Sequence, residues 1–128
     1  MIYQAAKPSA TIQLTLSSGY AVIALGGTIT AEYADAIRGQ LRAVVLGGQR
    51  HVVVDLALVS EIDSSGLAAL ISLVKLARER GGAVRCCGAS PSVYAVFELT
   101  RLDRILDLFP NQAVALSQPW DGWEAEDA

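Results

Sequence analysis

Asp63-Ser64-Ser65-Gly66 sets a carboxylate and two hydroxyls between a hydrophobic strand pattern and a long apolar helix pattern. Two chemistries suit such a tetrapeptide. Asp63 or Ser64 can accept hydrogen bonds from the free amides of a helix's first turn, a cap worth about 1 kcal/mol. The hydroxyls can also receive a phosphoryl group. One Ser or Asp suffices for capping, and Gly inside a helix's first turn weakens it, so the redundancy points to a second demand on this spot. A phosphoserine carries about −1.5 to −2 charges at neutral pH, and the amides and dipole of a helix N-terminus tolerate that charge. The fold is therefore expected to survive modification, while a partner docked on this corner meets a new dianion. A hundredfold loss of affinity needs only roughly 3 kcal/mol, and Asp63 adds like-charge repulsion to the modified state. The residues alone leave Ser64 and Ser65 tied. They supply only a substrate hydroxyl, so a separate kinase and phosphatase are implied.

Other chemistries lack their parts. A hydrolase nucleophile elbow needs G-x-S-x-G with an acid and then a His downstream. Here Ile62 stands where the first Gly belongs, and the only His, His51, lies upstream; it is read as a strand-entry residue. The pairs Gly26-Gly27, Gly47-Gly48 and Gly81-Gly82 form neither phosphate-cradling motif. One His and two adjacent Cys do not furnish a conventional zinc site. Asp55, Glu61 and Asp63 could cluster, but their spacing specifies no metal. No cofactor, no metal and no catalytic residue are expected.

The elements that must position the tetrapeptide follow from periodicity. Thr11–Leu16 alternates polar and apolar, a strand with one wet face. Tyr20–Leu25 is nearly all apolar and should lie deeper, forming a hairpin with it, and Gly26-Gly27 should break that strand. Thr30 is placed as the N-cap of a helix carrying Ala34, Ile37, Leu41 and Val44 inward, with a left-handed close at Gly47-Gly48; Gly39 inside it suggests close packing on the sheet. Val52–Val54 reads as a short central parallel strand, with residues 56–62 leading as a loop into the tetrapeptide. The helix from about Ser65 to Arg80 bears two apolar stripes, Leu67/Leu70/Ile71/Val74/Ala77 and Ala69/Leu73/Leu76. That arc exceeds what one sheet face covers, so neighbouring helices are expected to bury the rest, with partner contact as the other reading. Ala83–Cys87 is a further strand. Ser90-Pro91 starts a short helix with Val93, Val96, Phe97 and Leu99 as its apolar side. An edge strand near Leu108 and a last short helix capped by Asn111 follow. The result is an α/β chain: a small mixed sheet of about five strands, an N-terminal hairpin and then parallel strands, with about four helices. Residues 1–116 are expected to form one domain, and 117–128 a flexible acidic tail containing Trp120 and Trp123.

Composition bounds the setting. The chain has 128 residues, 52% hydrophobic and 18% charged, with net charge −3, a globular balance. Four of the acids fall in the last eight residues, leaving 9 acids against 10 bases in the body. A nearly neutral body suits protein contacts and argues against nucleic acid. No apolar run approaches the ~18 residues of a membrane span, and the first residues lack an export signal. Neighbouring Cys86 and Cys87 point to opposite faces of a strand, so they read as free thiols, one of them in the core, in a reducing compartment. A cytoplasmic protein is expected.

The order Val52-Val53-Val54-Asp55-Leu56, Ile62-Asp63-Ser64-Ser65-Gly66-Leu67, Gly81-Gly82 and Gly88-Ala89-Ser90-Pro91-Ser92-Val93 resembles the STAS domain, and more closely the bacterial anti-sigma factor antagonists, over about residues 11–116. The resemblance implies a protein that binds an anti-sigma factor of the histidine-kinase-like ATPase type and so frees a sigma factor. It implies that this partner phosphorylates the serine directly before the Gly, here Ser65 with Ser64 as second choice, and that a PP2C-type phosphatase reverses it. The implied partner surface is Asp63, Ser64, Ser65, Gly66 and Leu67, together with Thr28 and Thr30 of the Gly26–Thr30 loop. Homo-oligomers are compatible with the family. One departure stands out: many antagonists carry Gly-x-Leu-Asp in that loop, and Gly26-Gly27-Thr28-Ile29-Thr30 has no acid. Other STAS proteins serve as non-catalytic scaffolds of stress-signalling assemblies or accessory subunits of phospholipid transporters, which is the alternative reading.

Overall fold

A computed structural model describes residues 10–17 and 19–120. Strands β1 (Thr11–Ser17), β2 (Tyr20–Ile29), β3 (His51–Ile62), β4 (Ala83–Cys87) and β5 (Asp107–Phe109) form one sheet in sequential order. β1 is antiparallel to β2, and every later neighbour is parallel. Helices α1 (Ala31–Leu46), α2 (Ser64–Glu79) and α3 (Pro91–Leu99) make the crossovers, and α4 (Gln112–Ser117) follows β5. Each crossover steps one strand the same way, and such connections are right-handed, so α1, α2 and α3 share a face. Their Ile37, Leu41, Leu70, Leu73 and Phe97 meet Ile23, Val54, Leu56 and Cys86 in the main core. The opposite face carries Val22, Val53 and Cys87, covered by Ala115 of α4 and by Trp120. This is the expected mixed sheet with its opening hairpin.

Several local expectations change. β2 does not stop at Gly26-Gly27 but runs to Ile29, and β3 does not give way to a loop but continues to Ile62. The β2–β3 register shifts between Ala24 and Gly26 and again between Gly27 and Thr28. These irregularities absorb the glycines, and Gly27 takes a φ of +81° that a side chain would resist. They also upset the period-2 pattern of β3, where Leu56, Val59 and Ile62 point inward at intervals of three. That is why the segment resembled a loop.

On α2 both apolar stripes are buried except for the partly exposed Ile71. α1 packs beside α2, so the wide arc is covered by a neighbouring helix. Gly39 faces open space rather than the sheet, and Leu99 is exposed. The left-handed close of α1 falls on Gly48, with φ +111°. Ser90 and Asn111 cap α3 and α4 as expected, their side chains accepting from the amides of Val93 and Val114.

Both cysteines are buried. They do point to opposite faces, but each face is covered, so neither thiol is outside the core. The chain past residue 116 does not leave the body as a tail at once. Trp120 is 2% exposed, its ring 3.8 Å from the Arg85 guanidinium carbon and 4.9 Å from the His51 ring. Arg85 donates to the carbonyls of Ala115 and Gln118, both at 2.7 Å, and to that of Pro119. Composition near Trp120 (Pro119, Gly122, four acids) hid this because the partner that fixes it, Arg85, lies far away in sequence. Trp123 and the four acids lie outside the described residues.

Candidate functional site

The tetrapeptide sits where β3 ends and α2 begins, against the end of β2. Ile29 and Ile62 are register partners, and the Asp63 amide donates to the Ile29 carbonyl at 3.3 Å. The starts of α1 and α2 are therefore side by side at one corner of the sheet.

Asp63 ties them together. Its Oδ1 accepts from the amides of Ser65 at 2.9 Å and Gly66 at 3.1 Å, which makes Asp63 rather than Ser64 the cap of α2. Its Oδ2 accepts from the amide of Ala31, the first residue of α1, at 3.1 Å. Thr30 does occupy the N-cap position of α1, with φ −117° and ψ 179°, but its side chain makes no capping bond. The expected role of the Thr30 hydroxyl is taken by a carboxylate from 33 positions later in the chain. Periodicity cannot reveal such a tertiary cap.

Gly66 has a steric reason to be glycine. A Cβ there would run into the Ile29 carbonyl oxygen and lie 2.8 Å from Ile62 Cγ1 and 2.9 Å from Ile29 Cγ2. The first turn of α2 is pressed onto the end of β2, and only a residue without a side chain allows it. Leu67 also faces inward, at 5% exposure. The two residues support the corner from beneath, so Leu67 is corrected from a surface contact to a core residue.

What remains at the surface is polar. Ser64 is exposed and Ser65 half-buried, and with Asp63 filling the cap neither hydroxyl is needed for it. Thr28 and Thr30, both half-buried, border the same corner from the end of β2. Opposite Thr28 in register stands Glu61, exposed. It supplies an acid beside the corner although the Gly26–Thr30 stretch has none; Glu61 read as one member of a carboxylate group because the β2–β3 register was not visible. The three carboxylates do not gather. Asp55 holds the Ala57 amide at 2.9 Å and the Gln112 side-chain amide at 2.7 Å, eight positions before Asp63. His51 starts β3 and is roughly 35 Å of strand away from the serines, stacked on Trp120. The corner thus presents an acceptor hydroxyl on a helix N-terminus whose first turn carries no acid.

A family profile described as "Mlab, STAS domain" matches residues 12–109. An anti-sigma F factor antagonist of Paenibacillus polymyxa is 26% identical over 108 residues, covering 84% of this chain and 92% of that protein. BtrV of Bordetella bronchiseptica, assigned provisionally as an anti-sigma factor antagonist, is 32% identical over 92 residues, 72% of this chain and 77% of its own. The crystal structure of an anti-sigma factor antagonist from Mycobacterium paratuberculosis superposes with a TM-score of 0.78 at 27% identity, over 85% of this chain and 92% of that one. The chain belongs to the STAS domain family, with the anti-sigma factor antagonists.

Proposed function

We propose that this protein antagonises an anti-sigma factor of the histidine-kinase-like ATPase type, freeing a sigma factor, and that phosphate on Ser65 switches the interaction off. The observation that carries the reading is the filled cap. Asp63 supplies the acceptors that both helix starts need, so the serines are spare as far as folding is concerned. A phosphate on Ser65 adds charge beside Asp63 and at the start of α2 without removing any bond that holds the corner. The dianion is tolerated by the helix and disfavoured by a partner fitted to the neutral hydroxyl. Ser65 is favoured over Ser64 because it stands directly before Gly66, the position that the resemblance to the antagonists implies is modified. Asp63, Thr28 and Thr30 frame the partner surface, a PP2C-type phosphatase resets it, and the setting is the cytoplasm. No described helix is long and apolar enough to cross a membrane.

The test is incubation with the anti-sigma ATPase and ATP, read by intact mass and by pull-down. The native chain and Ser64→Ala should gain one phosphate and lose the partner. Ser65→Ala should gain none and stay bound. Equal phosphate uptake by Ser65→Ala would refute the assignment.

A non-catalytic accessory-subunit role, which the resemblance to STAS proteins also allows, is the second reading. The wide apolar arc of α2 does not favour it, because α1 covers that arc. Stable co-purification with a membrane transporter, and no phosphate uptake, would favour it.

A further inference from the structure

β1 is the edge of the sheet, with no strand on its outer side among the described residues. Edge strands are normally guarded by charge, proline or a bulge. Thr11-Ile12-Gln13-Leu14-Thr15-Leu16-Ser17 has none of these: it is uncharged and pairs with β2 in unbroken register. Leu14 is 47% and Leu16 58% exposed.

The register fixes which backbone groups are free. Ser17 pairs with Tyr20 across only two residues, which makes them a hydrogen-bonded pair, and alternation assigns Thr15, Gln13 and Thr11 to the other bonded pairs. The amides and carbonyls of Ile12, Leu14 and Leu16 therefore point away from β2. Reversed on itself about Leu14, the strand matches in kind at every position. Leu14 meets Leu14, Ile12 meets Leu16, Gln13 meets Thr15 and Thr11 meets Ser17. Such self-complementarity suits a two-fold axis. Ile12 and Leu14 also border an open groove of about 310 Å³ closed by Ile23 of β2 and by Gln40, Ala43 and Val44 of α1. Its lining has no charge, so two copies can approach without repulsion, and it offers burial to leucines arriving from a neighbouring strand.

We propose that β1 is a homodimer interface, pairing antiparallel with β1 of a second copy about a two-fold axis at Leu14 to make one ten-stranded sheet. The phosphorylation corner is not part of it, so the proposal stands or falls apart from the switch.

Sedimentation equilibrium of the full chain should give twice the 13.5 kDa of one chain at tens of micromolar. Leu14→Lys sets like charges face to face on the axis and should weaken association by about tenfold or more. A chain that sediments as a monomer throughout the micromolar range, or a dimer indifferent to Leu14→Lys, overturns the proposal. The register has its own test. Cα atoms of a hydrogen-bonded antiparallel pair are about 5.5 Å apart, within disulfide reach, so Leu14→Cys should cross-link to its copy under mild oxidation. Leu16→Cys puts the two thiols about four residues apart along the strand, roughly 13 Å, and should stay reduced. Equal cross-linking of the two variants overturns the pairing.

Discussion

Asp63 accepts three backbone hydrogen bonds with two oxygens, and the two oxygens serve different helices. Asp63→Ala should therefore cost more than an ordinary cap, roughly 2–3 kcal/mol in urea unfolding. Asp63→Asn keeps one acceptor oxygen for Ser65 and Gly66 but turns a donor toward the Ala31 amide. About 1 kcal/mol should be lost there, and an Asn variant as stable as the native chain would show that the α1 bond contributes nothing. Gly66→Ala drives a methyl into the end of β2 and should cost about 1–3 kcal/mol. The tetrapeptide was legible in the sequence as a cap with hydroxyls to spare. Which residue caps was not, because Asp63 and Ser64 both offer an oxygen at suitable spacing and only the backbone geometry chooses. The bond to α1 was hidden for a different reason: no local pattern reports a contact between residues 31 and 63.

Elements whose amphipathic period is unbroken were read well. α1, α2, α3 and the hairpin stand where periodicity put them, and the two stripes of α2 anticipated a flanking helix. The reading failed at the far ends of β2 and β3, where irregular pairing replaces the period of two, and in the segment after α4. There Trp120 and the carbonyls around it are held by Arg85, a buried cation at 6% exposure that needs those acceptors. Trp120→Ala should cost about 3–5 kcal/mol. Ending the chain after Leu116 should cost more, since Arg85 then also loses the Gln118 and Pro119 carbonyls. An unchanged urea midpoint for the shortened chain would mean that residues 117–120 only rest on the surface.

At the scale of the whole molecule, cover on both faces of a five-stranded sheet shields the adjacent thiols. Burial pushes Cys86 and Cys87 from about 9 up to about 12, with Cys87 and Asp107 adding to the effect on Cys86 and Asp55 on Cys87. In the unfolded chain both ionise near pH 9, in the folded chain only near 12. Folding therefore binds extra protons in that window, and its stability is full below pH 9 and falls as pH rises from 9 to 12. Urea unfolding at pH 8 and pH 10.5 should show the drop, and Cys86→Ala/Cys87→Ala should flatten it. An equal drop in that variant would assign it to other groups. The sequence announced free thiols with one of them in the core; it could not say that the second face is closed by the chain's own last described turn. That closure also has an order in time. Arg85 emerges from the ribosome 30 to 34 residues ahead of the carbonyls that bind it. Until residue 120 follows, the nascent sheet lacks the cover that Trp120 gives this face, and the interval of synthesis between β4 and Trp120 is when this chain most needs protection from its neighbours.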